Sequence, residues 1–122
     1  ECRCTSARRS EAGVVGETTA KGDVQQWTAD MGEGMATKYG EGARVKGIAP
    51  GVFLTERNRT LLTHPDGSLT ARGNAIVAHT PFGRFGTPDE LCGTIHYLIS
   101  DASKFVSGTV AVVDGAFDCF CL

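Results

Sequence analysis

One stretch constrains this chain more than any other: Val45-Lys46-Gly47-Ile48-Ala49-Pro50-Gly51-Val52-Phe53-Leu54-Thr55. It reads as a strand that runs into a Pro-Gly corner and ends at a hydroxyl. Val45, Ile48 and Ala49 suit a strand covered on both faces. Pro50 cannot donate to a ladder, and Gly51 lets the backbone turn sharply and lets another group approach closely. Thr55 then falls just past the carboxyl end of the strand, where ligands bind in an open α/β sheet. The same residues also fit an ordinary strand-to-loop exit.

The rest of the chain supplies partners for that strand. The apolar residues Val24, Trp27, Met31 and Met35 recur at helical spacing between Thr18 and Tyr39, which predicts a helix. Gly32 and Gly34 each weaken it by roughly 1 kcal/mol against Ala, so it must lean on tertiary or subunit packing. Trp27 and the two Met side chains are expected in a core or interface. Gly40-Glu41-Gly42 ends the helix, and a strand is expected over 43–49. Short helices are expected over 54–62 and 70–79, the second with Ile76 and Val77 inward. The turn signal His64-Pro65-Asp66-Gly67-Ser68 separates them. Together 52–85 is long and irregular, as lids and substrate loops are. His64 and His79 lie in it, though a solvated or hydrogen-bonded role suits them as well.

Thr87-Pro88-Asp89-Glu90 is a helix start, with Thr87 as cap, Pro88 in the first turn and Glu90 reaching back as a capping box. Leu91, Ile95, Leu98 and Ile99 form one apolar stripe on that helix. Ser107-Gly108 turns the chain, and Thr109 to Val113 is a second buried strand closed by Asp114-Gly115. Residues 1–16 show no period. Helix, strand, loop, helix, strand is the pattern of parallel α/β units. Two strands do not make a covered parallel sheet, so the chain reads as the second half of a larger fold.

Composition narrows the function. The 122 residues carry a net charge of −2, so no basic field attracts nucleic acid or anionic lipid. No apolar run approaches a membrane span. Glu1 to Ser10 lacks the apolar core of a secretory signal, and a cytoplasmic location is expected. Five cysteines are an odd number and argue against a simple disulfide framework. Cys2 and Cys4 with Cys119 and Cys121 form two Cys-x-Cys pairs. That spacing is not the usual zinc pattern and the chain ends would have to meet, so no metal site is expected. Cys119-Phe120-Cys121-Leu122 fits a prenylation pattern, but no polybasic run precedes it.

The ordered set Ile48-Ala49-Pro50-Gly51, Thr55, Arg84-Phe85-Gly86-Thr87-Pro88-Asp89-Glu90, Ser100-Asp101-Ala102-Ser103, Gly108-Thr109-Val110 and Val113-Asp114-Gly115 resembles the carboxyl-terminal half of a short-chain dehydrogenase/reductase. The run from Pro50 to Arg59, with Leu61-Leu62-Thr63 and Ala78-His79-Thr80-Pro81, is most similar to the D-mannonate oxidoreductases, or fructuronate reductases. The resemblance implies a partial Rossmann-type α/β domain over residues 1–122, with a doubly wound parallel sheet, 1–16 irregular, and the nucleotide-phosphate half absent. It implies NAD or NADP as cofactor, a sugar-acid substrate such as D-mannonate or fructuronate, and a homo-oligomer formed through helix 18–39 and the 88–113 region.

By the same resemblance, the corner Pro50-Gly51, the backbone of Phe53 and the hydroxyl of Thr55 hold the nicotinamide carboxamide. Lys21 stands at the position of the active-site lysine, which binds the ribose and lowers the pKa of a tyrosine four residues earlier. Here that tyrosine position is Glu17, and the active-site serine falls near Cys4. A carboxylate beside an ammonium stays ionised and cannot donate to a ketone, and a thiol is a poor donor. The usual asparagine before the Pro-Gly corner is Lys46, and the usual second glycine after Asp114-Gly115 is Ala116. Gly40-Glu41-Gly42 is not the glycine-rich phosphate turn, since it follows a helix rather than a strand. Two readings stay open: part of an NAD(P)-dependent sugar-acid oxidoreductase, inactive alone, or a non-enzymatic relative that only packs with a partner. An unpaired strand edge favours association in either case.

Overall fold

The computed structural model describes residues 15–119, with side chains from Asp23 onward. Helix α1 spans Val15–Tyr39. It starts before Thr18 and inside the stretch expected to be irregular through residue 16. It stops where Gly40 takes φ 61, a left-handed conformation that glycine adopts freely.

Strands β1 (Lys46–Pro50) and β2 (Thr109–Val113) pair in parallel, from Lys46 opposite Thr109 to Pro50 opposite Val113. Strand β2 matches expectation; β1 runs later than 43–49 and includes Pro50. The hydrogen bonding explains this. Gly51 N–H donates to Val113 O at 2.9 Å, so in this ladder the nitrogens of Gly51 and Ala49 face β2 and that of Pro50 faces the other edge. No ladder donor is lost there, which is where a strand tolerates proline. Among the described residues no strand lies along that other edge of β1.

Helix α1 covers one face of the sheet, and its contact stripe is not the one its large residues suggest. Thr28 and Gly32 are buried, Val24, Met31 and Met35 half-buried, and Trp27 is 53% exposed. The reason is close approach: a Cβ at Gly32 would lie 2.5 Å from Gly108 Cα, and one at Gly47 would lie 3.0 Å from Val110 and 3.6 Å from Thr28 Oγ1. Small residues let the helix sit down on the sheet, and the larger ones flank the contact. Thr28 Oγ1 donates to Val24 O at 2.7 Å, which satisfies its buried hydroxyl.

The short helices expected over 54–62 and 70–79 are present as α2 (Glu56–Leu62) and α3 (Ala71–His79), and they fold against each other as a hairpin. Thr63 bridges Leu69, Thr70 N–H donates to Leu62 O at 3.0 Å, and Gly73 packs against the Leu62 carbonyl too closely to admit a Cβ. Ile76 and Val77 are half-buried. The helix expected from Thr87 begins as a 3-10 turn, Pro88–Leu91, and continues as α4, Cys92–Ile99. Its apolar stripe is half open: Ile95 is 40% and Ile99 73% exposed. The buried apolar core among the described residues is small, consisting of Ile48, Ala49 and Leu62.

Candidate functional site

Both strands of a parallel pair end at the same edge, and there the two exits touch. A Cβ at Gly51 would lie 2.6 Å from Asp114 Cβ. Gly51 is therefore required by its neighbour and not by its backbone conformation, since its φ is not positive. Asp114 is in turn committed to the backbone. Its Oδ1 accepts from Ala116 N–H at 2.9 Å and its Oδ2 from Asp118 N–H at 2.8 Å. Ala116 is the one non-glycine residue with positive φ among the described residues, at 69°.

Beyond Gly51 the segment 52–55 is bonded on two sides. On one side Gly86 acts as a strand partner: its N–H donates to Val52 O at 3.0 Å, and its carbonyl accepts from Leu54 N–H at 3.0 Å. The Phe53 ring lies against Gly86, where a Cβ would come within 2.5 Å of it. On the other side the Asn58 amide does the same work from α2. Its Nδ2 donates to Phe53 O at 2.8 Å and its Oδ1 accepts from Thr55 N–H at 2.8 Å. Two groups remain open. Neither the Phe53 N–H nor the hydroxyl proton of Thr55 has an acceptor among the described residues.

Gly86 is itself held. Arg84 donates to Glu90 through two bonds, at 2.6 and 2.8 Å, and to Phe85 O at 3.0 Å. Glu90 Oε2 accepts from Thr87 N–H at 2.8 Å as the capping box requires. These bonds, the Arg84 pair above all, hold the Glu90 carboxyl down at a pKa of about 2. A cleft beside this pair is lined by Phe53, Phe82, Arg84, Gly86, Glu90 and Asp114, among others; Pro50 and Thr55 do not line it.

The position of α1 bears on Glu17 and Lys21. Thr28 lies over Gly47 and Gly32 over Gly108, so α1 runs antiparallel to the strands. Helical rise carries Lys21 about 10 Å beyond Thr28, and strand rise carries Pro50 about 10 Å beyond Gly47. Lys21 is thus level with the Pro-Gly corner, and Glu17 lies one helical turn further out. Cys4 lies outside the described residues. The sites expected at Pro50, Gly51, Phe53 and Thr55 are one continuous segment at the carboxyl edge.

Lys46 stands at the other end of β1 and serves the fold. Its Nζ donates to Leu98 O at 2.7 Å and to Ser103 O at 3.0 Å, and it also bonds Ser103 Oγ. Burial and the nearby Arg44 lower its pKa. This ammonium caps the carboxyl end of α4, a role the sequence did not announce. Asn58 was also missed, although Thr55-x-x-Asn58 has the spacing of a capping box.

A parallel pair with a helix laid antiparallel across it, and open donors at the carboxyl edge, is the pattern of part of a Rossmann-type α/β unit. A family model described as enoyl-(acyl carrier protein) reductase matches residues 4–117. The chain is 42% identical over 106 residues to the uncharacterized oxidoreductase UxuB of Bacillus subtilis (strain 168), covering 85% of this chain and 37% of that protein. It is 39% identical over 104 residues to gluconate 5-dehydrogenase of Gluconobacter oxydans (strain 621H), covering 84% and 37%. A Haemophilus influenza crystal structure with bound NAD, labelled a D-mannonate oxidoreductase, superposes with TM-score 0.87 at 31% identity over 98% of this chain and 42% of that one. A gluconate 5-dehydrogenase from Burkholderia cenocepacia J2315, in complex with NADP and tartrate, superposes with TM-score 0.77 at 30% identity, over 98% and 44%. This chain belongs to the short-chain dehydrogenase/reductase family. It spans 37% of the length of the two curated relatives described.

Proposed function

We propose that this chain forms the nicotinamide-facing part of an NAD(P)-dependent oxidoreductase acting on a sugar acid, of the D-mannonate/fructuronate or gluconate type. The observation that carries this is the segment 52–55. It is fixed on two sides at the carboxyl edge of a parallel pair, and it leaves the Phe53 N–H and the Thr55 hydroxyl free to donate. Two donors two residues apart suit the oxygen of a carboxamide. When bound, the nicotinamide supplies or accepts the hydride. The residues of this chain do the rest. Gly51 and Gly86 bring the backbone close, Phe53 and Thr55 hold the carboxamide, and Lys21, level with the corner, holds the ribose.

Glu17 sets the limit of this reading. A carboxyl stands at the position where the resemblance expects the phenol that exchanges a proton with the substrate. It favours a second reading, in which the chain only packs with a partner. The exposed Trp27 on α1, and Ile99 and Phe105 in the 88–113 region, are the surfaces proposed for association with a second copy. Concentration-dependent sedimentation is expected, and a concentration-independent monomer would refute it.

Calorimetric titration with NADH and NADPH separates the two readings. Saturable binding is expected, weakened roughly 2- to 10-fold by Thr55→Ala, the range of one lost hydrogen bond, and restored by Thr55→Ser. No saturable heat at millimolar cofactor would refute the enzymatic reading for this chain.

A further inference from the structure

We infer that Asn58 is the positioning residue of the cofactor-facing segment, acting as a one-residue strand built from a side chain. The inference rests on the reading of segment 52–55 given above. In a parallel pair, one residue donates to the carbonyl before its opposite number and accepts from the N–H after it. Gly86 does this about Phe53, using Val52 O and Leu54 N–H. Asn58 does it about Leu54, using Phe53 O and Thr55 N–H at 2.8 Å each. Its amide supplies the donor and the acceptor that a neighbouring peptide group would supply.

The orientation of that amide is unambiguous. Turning it over would set its oxygen against the Phe53 carbonyl and its NH2 against the Thr55 N–H, losing both bonds. In extended backbone the N–H and C=O of one residue face the same side. Phe53 N–H therefore faces the Asn58 side, beside the clamped carbonyl, and is the donor left over. Asn58 thus fixes the direction of the open N–H through the carbonyl of the same residue. It fixes the Thr55 side chain through the Thr55 backbone. An ordinary helix cap would bond the Thr55 N–H alone; the second bond, to Phe53 O five residues back, is what makes this a clamp on the segment. The carboxamide of a nicotinamide, whose oxygen needs donors at a set direction and spacing, is the ligand chemistry that such a clamp serves.

Two variants separate the halves of the clamp. Asn58→Ala removes both bonds and keeps a good helix former in α2. Asn58→Asp keeps an acceptor for Thr55 N–H but places a carboxylate against the Phe53 carbonyl. Amide hydrogen exchange of the cofactor-free protein, read by NMR, is followed at Thr55, with Thr63 N–H, bonded to Arg59 O at 2.7 Å, as the control for an intact α2. NADH and NADPH affinity is measured by calorimetry on the same samples. In Asn58→Ala, Thr55 is expected to exchange faster while Thr63 does not, with cofactor bound roughly tenfold more weakly, the size of a hydrogen bond set out of line. In Asn58→Asp, Thr55 is expected to stay protected while affinity still falls, a split that a simple cap would not show. Unchanged Thr55 exchange in Asn58→Ala overturns the clamp. Faster exchange with unchanged cofactor affinity reduces Asn58 to a cap and overturns the positioning role. A wild-type chain that shows the exchange pattern and binds neither cofactor refutes the reading of the segment itself, and the positioning role with it.

Discussion

The seating of α1 on the sheet sets where Lys21 lies relative to the Pro-Gly corner, and two glycines in the same helix test it. A glycine in a helix interior is about 1 kcal/mol worse than alanine. At Gly34 an added Cβ would meet nothing within 4 Å, so Gly34→Ala should recover nearly all of that. For a chain of this size the gain corresponds to a rise in Tm of roughly 3–6 °C. At Gly32 the same substitution recovers the same propensity, but its Cβ would sit 2.5 Å from Gly108 Cα and 2.6 Å from Gly108 N. These are backbone atoms of the turn that leads into β2, and they cannot swing aside as a side chain can. Gly108 itself has φ 69, so that turn has little freedom to yield. Overpacking of this kind costs about 1–3 kcal/mol or more, which cancels or exceeds the propensity gain. Gly32→Ala should therefore leave Tm unchanged or lower it, while Gly34→Ala raises it. Thermal unfolding followed by far-ultraviolet circular dichroism on the two variants reads the difference directly. If Gly32→Ala is as stabilising as Gly34→Ala, α1 does not rest on the Ser107–Gly108 turn, and the placement of Lys21 level with Pro50 fails with it.

The Arg84–Glu90 pair gives a pH signature. Glu90 titrates at about 2 in the folded chain against an ordinary 4.5, so its contribution to stability is complete above the ordinary value and is lost as pH falls from about 4.5 toward 2. Glu90→Gln should flatten that part of a stability-against-pH curve and leave the curve's shape near neutrality unaltered; an unchanged acid limb would refute the pairing. Ala116 holds a left-handed φ of 69, which costs an L-residue about 1–2 kcal/mol. Glycine there regains most of that and gives back about 0.4–1 kcal/mol through the unfolded chain. Ala116→Gly is accordingly expected to raise Tm modestly, and a fall in urea or thermal unfolding would show that Ala116 is not in that conformation.

Local chemistry made much of the fold legible. β2, the α2–α3 hairpin, the cap at Thr87 and the end of α1 at Gly40 each rest on a signal within a few residues: an apolar β-branched run, a Pro-Asp-Gly turn, a capping box, a glycine after a helix. The Pro-Gly corner and its Thr55 were legible for the same reason, and so was the family, because its motifs are local words in a set order. What the sequence alone misplaced or missed depends on contacts made across the fold. The stripe of Val24, Trp27, Met31 and Met35 marked the hydrophobic side of α1, but the sheet's closeness at Gly108 and Gly47 selected Thr28 and Gly32 as the seat. Pro50 belongs to β1 because the ladder happens to turn its nitrogen to the open edge. Lys46 looked like a departure from the family pattern, and only the folded chain brings the Leu98 and Ser103 carbonyls to its ammonium. Asn58 serves as a strand partner because the folded chain lays 52–55 between its amide and Gly86. Periodicity and turn chemistry act over a few residues and can be read in order along a chain; distances between backbone segments, and the polar groups they leave open, exist only after the segments have packed.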